Sequence, residues 1–425
     1  MARYLLAVSP IRGHVLPMIE IGVGLGELGH DVTLLTGSGF ADLARKAGLP
    51  VIVLPEDVQI DPPSKAPAVL RRLPVQLRRF WLGRAELDTV FARPLVAEDR
   101  SLRAALQGTP FDAVLVDVTF TGAAPLLLQD GPRPPVVVCN VGPLTLSSAD
   151  IPPFGMAWQP EDGVDYRPMT AVAHRVIMRG SQRRFDRALR AAGSRRSPVF
   201  ISDWPRLADA VVQLSVEEFE YRRSDLPPTV EFVGPVLASK DKGDRGLPGW
   251  WPDVQQAPAV VHVTQGTFDN TDLDQLISPT LAALGDRDDL LVVVTTARAD
   301  APLAGPIPAN TRVTDWLPYS ALMPHVDVMV TNGGYGGVHY ALSHGVPLVV
   351  AGETSDKAEV AARVDHTGVG VDLGTSTPTA AAIGEAVDRV LRDDRYRAAG
   401  LRIQRAIEAT TPVDAIANAL KRCAA

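Results

Sequence analysis

The sequence predicts an α/β protein built on two doubly wound parallel sheets. Three observations carry that reading. Short apolar runs of strand length recur along the 425 residues, stretches of helical spacing separate them, and a charged segment bearing glycine and proline interrupts the series past its middle. A strand buried on both faces reads as a continuous apolar run, and alternation of such runs with helices implies parallel pairing. A chain of this length exceeds one ordinary core, so two domains, or three, are expected.

The elements follow in order. Residues 4–9 form the first apolar run, 15–28 carry apolar residues at helical spacing and stop at Gly29, and 31–36 form the next strand. Further strands are expected at 51–54, 113–117, 135–141, 210–215 and 230–233. The interruption spans 235–253, where 240–248 concentrate charge, glycine and proline ahead of Trp250 and Trp251. Beyond it, strands are expected at 259–263, 290–295, 311–313, 326–330, 348–351 and 370–373, so the chain reads as two similar halves. From Thr377 the pattern is largely helical and would pack back on the first half. Two irregular stretches, 55–81 with Pro62, Pro63, Pro67 and Pro74, and 142–169 with Pro152, Pro153, Phe154 and Trp158, have the length of binding loops.

Composition narrows the function classes. Lys+Arg number 42 against Asp+Glu 49, a formal charge of -7, and no basic block interleaves with aromatics, which argues against nucleic acid as a partner. Cys139 and Cys423 are too few and too far apart for a disulfide framework or a zinc site, so a reducing compartment is expected. The first apolar run is followed at once by Pro10, Arg12, Gly13 and His14, which suits a buried strand better than a signal peptide. No apolar run approaches the ~20 residues that span a bilayer. A cytoplasmic protein without stable membrane insertion is expected; its oligomeric state is left open.

The glycine-rich segment 331–347 lies between the strands 326–330 and 348–351. Gly333, Gly334, Gly336 and Gly337 let backbone approach a ligand, and the amides opening the next helix form an anion site that suits a diphosphate. Such turns are common in α/β proteins, so the rest of the chain must choose the ligand. His14 falls where a helix begins at the carboxyl edge of the first strand, the edge where open α/β sheets bind ligands. Beside the positive end of a helix it would be neutral and suited to act as a general base; the alternative is a capping or loop histidine. Asp117 ends the strand 113–117 at the same edge and either orients His14 or caps its own turn, whereas Asp112 opens that strand at the opposite edge.

In the second half Thr267 follows a strand and can bond a phosphate. Trp316 leaves another strand and either stacks on a planar group or belongs to the core. Asp356 and Lys357 either hold sugar hydroxyls or stand as exposed charges at a helix start. Gly22, Gly24, Gly26 and Gly29 imitate a dinucleotide fingerprint but lie inside a helical pattern and are read as packing residues. No Walker loop, HExxH or zinc spacing is present; Asp272 and Asp274 are the nearest acidic pair, and no metal site or cofactor is expected.

The segments 13–17, 28–33, 232–235, 265–267, 316–318, 331–347 and 356–357 occur in one order that resembles the family 1 glycosyltransferases of GT-B fold, especially bacterial enzymes that glycosylate antibiotics and other natural products. The resemblance covers nearly the whole chain. It implies two Rossmann-like doubly wound domains facing across a cleft: an acceptor domain over 1–234, a linker over 235–255, a nucleotide-sugar domain over 256–405, and a C-terminal helix over 406–425 crossing back to the first domain. By position, it implies that His14 deprotonates the acceptor hydroxyl and Asp117 orients it. Trp316 would stack on the nucleobase and Leu317 read its edge through the backbone. Thr267, Asn332, Gly333, Gly334, Gly336, Gly337 and the amide of Val338 would hold the diphosphate, and Asp356 and Lys357 the sugar.

The reaction implied is inverting and metal-independent, with a nucleotide sugar as co-substrate and an apolar small molecule as acceptor, against which Phe80, Trp81, Phe154 and Trp158 would lie. UDP-glucose is the first expectation for the donor and a dTDP-sugar the second. Departures from the family bear on that choice. Asn332 stands where a phosphate-contacting histidine is usual, Gly336 and Gly337 where a serine is usual, and Tyr340 where a glutamate grips the ribose. Lys357 replaces a glutamine and brings donors and charge but no acceptor. A non-catalytic nucleotide-sugar-binding protein, a glycolipid transferase and a dinucleotide oxidoreductase are the alternatives. The joint presence of His14 and Asp117 counts against the first, and the lack of an N-terminal strand-to-helix GxGxxG against the last.

Overall fold

The computed structural model describes residues 1–424 except 57, 59, 61–74, 238–245, 268–269, 271, 299–302, 304 and 354–355; the side chains of 75–80 also lie outside that description. Its strands are β1 (Arg3–Ala7), β2 (Asp31–Gly37), β3 (Val51–Leu54), β4 (Ala113–Asp117), β5 (Val136–Asn140), β6 (Ala210–Gln213), β7 (Val230–Phe232), β8 (Val260–Thr264), β9 (Leu291–Thr295), β10 (Thr311–Thr314), β11 (Val328–Thr331), β12 (Leu348–Val350) and β13 (Gly370–Asp372). Each lies within two residues of its expected position. They form a seven-stranded sheet in the order β3-β2-β1-β4-β5-β6-β7 and a six-stranded sheet in the order β10-β9-β8-β11-β12-β13. Every pairing is parallel.

The two sheets belong to separate compact units. One comprises Met1–Met156, Pro160–Val236 and Thr410–Ala425; the other comprises Ala157–Gln159 and Leu237–Ala409. The helix Trp251–Gln256 thus lies in the second unit, and the chain leaves that unit after the helix Asp394–Glu408, not within it. Residues 157–159 join the second unit because Ala157 N–H donates to Glu359 Oε1 at 2.9 Å and Gln159 Nε2 to Asp365 Oδ2 at 2.5 Å. Ala157 takes a φ of +52° to make this turn, a conformation that non-glycine residues seldom adopt.

In the first unit the period-2 alternation of buried strands feeds two cores. Leu5, Ala7, Val114, Val116 and Val138 pack on one face with Leu102, Phe185 and Trp204. Tyr4, Leu6, Leu115, Val137 and Cys139 pack on the other with Ile19, Ile21, Ile416 and Leu420. The second face is therefore covered jointly by the helix Arg12–Glu27 and the C-terminal helix Pro412–Ala424. Of the four glycines expected to be packing residues, Gly22 and Gly24 serve this packing, whereas a Cβ on Gly26 would meet nothing within 4 Å and Gly29 lies past the helix at a φ of +84°. A Cβ on Gly22 would lie 2.9 Å from Leu49 Cδ1, and one on Gly24 2.8 Å from Val413 Cγ1. In the second unit Val261, Val263, Val292, Val294 and Val330 pack with Ile277, Leu284, Ile383 and Val387.

Of the two irregular stretches, the first ends in a helix, Val75–Glu86, and its prolines at 62, 63, 67 and 74 lie outside the described residues. The second is fastened by carboxylates. Leu144 N–H donates to Glu220 Oε1 at 2.9 Å, Ser147 N–H to Asp203 Oδ1 at 2.6 Å, and Ala149 N–H to Asp225 Oδ2 at 2.9 Å. Among the described residues no helix is long and apolar enough to cross a membrane.

Candidate active site

The strand orders create one switch point in each sheet. From β1 the chain moves to β2 on one side, and from β4 to β5 on the other, so the crevice opens between the carboxyl ends of β1 and β4; β8 and β11 stand in the same relation in the second sheet. Ligands of doubly wound sheets bind at such crevices. His14 and Asp117 fall on the first pair of strand ends and Thr267 and the glycine turn on the second, whereas Trp316 and Leu317 follow β10 and Asp356 and Lys357 follow β12.

In the first unit His14 lies in the opening turn of the helix Arg12–Glu27, and its Nδ1 is 2.9 Å from Asp117 Oδ2. The Asp117 side chain is fully buried while the His14 side chain is 22% exposed, so the pair runs from the interior toward solvent. Asp117 Oδ1 accepts from Thr119 N–H at 2.9 Å and from Thr119 Oγ1. The carboxylate therefore orients the imidazole and caps its own turn at once; the two readings of Asp117 are both realised. A carboxylate facing Nδ1 favours the tautomer with its proton there, which makes Nε2 the basic atom. Asp112, at the amino edge of β4, accepts from Arg3 N–H at 2.7 Å, far along the strand from this pair.

A recess of about 200 Å³ opens beside the carboxyl ends of β1, β2 and β3, lined by Pro10, Gly37, Phe40, Pro55, Val58 and Ile60. Sequence reasoning did not foresee it, because its walls come from three separate turns. Of the aromatic residues expected against an acceptor, Trp81 and Trp158 are exposed and Phe154 is half-buried. The Phe80 side chain lies outside the described residues. Trp158 belongs to the second unit and not to the expected first, a correction that follows from the hydrogen bonds of Ala157 and Gln159.

In the second unit the turn after β11 and the turn after β8 are tied together, since Asn332 Nδ2 donates to Gln265 C=O. Gly333 and Gly266 adopt φ of +83° and +67°, which only glycine takes readily. Gly352, after β12, closes in from the other side: a Cβ there would lie 2.1 Å from Asn332 O and 2.9 Å from Lys357 Cβ. Three strand ends are thus drawn together, β11 and β12 by backbone approach and β8 through the Asn332 side chain. Above them Gly334 caps the helix Tyr335–Leu342, and a Cβ on Gly336 would meet nothing within 4 Å.

Val338 was expected to offer its amide to a diphosphate, but that amide donates to Gly334 C=O at 3.0 Å. It makes the first i→i−4 bond of the helix, so the anion-facing donors are those that precede it.

Lys357 opens the helix Lys357–His366 and is buried at 6% exposure, which overturns its reading as an exposed charge. Its stem packs against Gly352 at the glycine turn. Asp356, one residue earlier, is half-buried. Thr267 is exposed just past β8 and Leu317 buried just past β10, with Trp316 half-buried beside it. Tyr340 packs edge-on against Tyr319 at 5.4 Å, and Tyr319 in turn against His262, whose Nε2 is 3.1 Å from the Tyr319 hydroxyl. Burial lowers His262 to about 4, so it is neutral at physiological pH.

Two residues of the first site carried signals that went unread. Thr119, two positions after Asp117, has the spacing of an Asx turn. Glu98 shares the buried face of the helix Leu95–Gly108 with Leu95, Leu102 and Ala105, and a carboxyl in an apolar stripe at helical spacing is itself a signal.

The family model for the C-terminal domain of erythromycin biosynthesis protein CIII-like proteins matches residues 278–422. The chain is 33% identical over 442 residues to UDP-glycosyltransferase 2 of Phaeomoniella chlamydospora, covering 99% of this chain and 95% of that protein. It is 36% identical over 409 residues to the 4'-demethylrebeccamycin synthase of Lentzea aerocolonigenes, covering 95% of each. Among solved structures, the glycotransferase of kitacinnamycin superposes with a TM-score of 0.75 over 99% of this chain and 98% of that one, at 22% identity. Fold and sequence together define a glycosyltransferase built on two Rossmann-like domains. The chain belongs to the family 1 glycosyltransferases of GT-B fold.

Proposed function

We propose that the protein is an inverting, metal-independent O-glycosyltransferase that moves a hexose, glucose first among candidates, from a nucleoside diphosphate to a hydroxyl of an apolar small-molecule natural product. The observation that carries this reading is the His14–Asp117 pair at the carboxyl edge of the first sheet, with Nδ1 held at 2.9 Å by a fully buried carboxylate. His14 Nε2 takes the acceptor proton as its oxygen attacks the anomeric carbon, and Asp117 stabilises the imidazolium that results. Attack opposite the departing nucleotide inverts the anomeric configuration. The glycine turn and the amides of Gly336 and Gly337 receive the charge that develops on the diphosphate. Lys357, whose stem lies at that turn, adds a cation toward the sugar or the phosphate.

The relative named as a UDP-glycosyltransferase supports UDP as the donor nucleotide. Tyr340 gives a dTDP-sugar a specific footing, because a phenol offers at most one neutral contact where a carboxylate would hold both ribose hydroxyls. A crossed screen of UDP- and dTDP-sugars against a panel of apolar natural products, read by product mass, tests the proposal. Transfer by the intact chain, inversion at the anomeric carbon, and a fall of roughly 10²–10⁴-fold in His14→Ala with nucleotide binding retained are the expected results. Full turnover by His14→Ala would remove the histidine from the mechanism. Donor binding without transfer to any acceptor would favour a non-catalytic partner.

A further inference from the structure

Glu98 is a buried carboxyl that the chemistry above does not use. It lies on the helix Leu95–Gly108 with no exposed surface. Its Oε1 is 2.7 Å from Ser9 Oγ, and its Oε2 accepts from Gly122 N–H at 3.0 Å. These two partners stand on the two loops that deliver the catalytic pair. Ser9 follows β1; Ile11 N–H donates to Ser9 C=O at 2.7 Å, and His14 N–H to Ile11 C=O at 2.9 Å, so the turn passes directly from Ser9 to His14. Gly122 follows Asp117 through a turn in which Phe120 N–H donates to Asp117 C=O at 2.9 Å. The contact on that side is backbone-close: a Cβ on Gly122 would lie 2.3 Å from Glu98 Cβ and 2.6 Å from Asp99 N.

We propose that Glu98 is a positioning residue whose single carboxyl clamps the His14 loop to the Asp117 loop and so fixes the spacing of the catalytic pair. This rests on reading His14 and Asp117 as that pair. The protonation state fits the role. Burial raises Glu98 to about 8, with the nearby Asp117 charge adding to the rise against the hydrogen bonds of Ser9 and Gly122. The carboxyl is thus neutral at pH 7 and brings no second charge to the buried Asp117. Oε2 accepts from the Gly122 amide and Oε1 from the Ser9 hydroxyl, a group that can also accept a proton carried on Oε1. Asp99, beside it on the same helix, is paired with Arg103 at 2.9 Å.

The test uses the full chain labelled with ¹⁵N-histidine and follows the His14 Nδ1 resonance, assigned by its loss in His14→Gln. Glu98→Gln keeps a carbonyl for Gly122 N–H and an amide donor for Ser9 Oγ, and it should leave the Nδ1 shift in place. Glu98→Ala should move that shift toward the value of an unbonded imidazole. It should also lower transfer kcat at least tenfold while the Kd for UDP changes less than twofold. A folded Glu98→Ala protein with an unmoved Nδ1 resonance overturns the clamp, as does a Glu98→Gln protein that behaves like Glu98→Ala. Should Glu98→Ala fail to fold, Ser9→Ala decides: a displaced resonance supports the clamp and an unmoved one overturns it. The resonance needs no substrate, so absence of transfer by the wild-type chain would count against the proposed function while the imidazole shift still judged the clamp.

Discussion

The division of labour between His14 and Asp117 depends on which ring nitrogen carries the proton. Asp117 has both oxygens engaged, Oδ2 by His14 and Oδ1 by Thr119, so it cannot rotate to serve either partner alone. Asp117→Asn would keep the shape but present an amide to Nδ1, favouring the wrong tautomer; kcat should fall on the order of 10³-fold or more, with little change in donor Kd. Thr119→Val removes one hydroxyl contact and leaves the Thr119 backbone amide in place, so a smaller loss in kcat is expected, measured under the same conditions. At Lys357 the informative change is to Gln, the residue usual in the family. The variant should shift the ratio of kcat/KM values between donor sugars, since it exchanges a cation with three donors for a neutral group that also accepts.

At the scale of elements, the helix Tyr335–Leu342 separates stability from binding. The space around Gly336 is open, so Gly336→Ala should raise the stability of the second unit by about 0.5–1 kcal/mol through helix propensity while weakening donor binding at least tenfold. Thermal unfolding and nucleotide titration read the two effects apart. Gly122→Ala is its opposite: the added methyl meets the Leu95–Gly108 helix and should destabilise the first unit by about 1–3 kcal/mol.

These elements also show what a sequence discloses. Both-face burial writes inner strands such as β4, β5 and β9 as apolar runs, and with them the strands of both sheets, the carboxyl-edge placement of His14 and Asp117 and the glycine turn were all legible. Strand order was not, because pairing joins residues far apart in the chain, and with it the two switch points stayed hidden. The same non-locality concealed the burial of Lys357, the passage of Trp158 into the second unit and the reach of Glu98 to two loops. Val338 is a different case: the i→i−4 rule already committed its amide, and counting four residues back from Val338 to Gly334 would have shown it.

For the molecule as a whole, Glu98 and His262 contribute pH dependences of opposite sign, one in each unit. Glu98 has a raised value in the folded first unit, so the folded state holds a proton that the unfolded chain releases. Its contribution is full below about 4.5 and declines as pH rises toward 8. His262 has a lowered value in the second unit, so the unfolded chain binds the extra proton. Its contribution is full above 6.5 and declines as pH falls toward 4. Calorimetry across this range should show Glu98→Gln lessening the alkaline loss of stability in the first unit and His262→Gln lessening the acid loss in the second. A different consequence follows from the helix Pro412–Ala424, whose Ile416 and Leu420 complete a core begun by Tyr4 and Leu6. On the ribosome, the first sheet is complete at Phe232, 180 residues before the helix that finishes covering it begins at Pro412 (412 − 232), and Leu237–Ala409 of the second unit is translated in the interval. The nascent chain therefore carries a half-covered apolar sheet face through that interval, a natural landing place for chaperones, and a chain released after Ala409 should aggregate where the longer one folds.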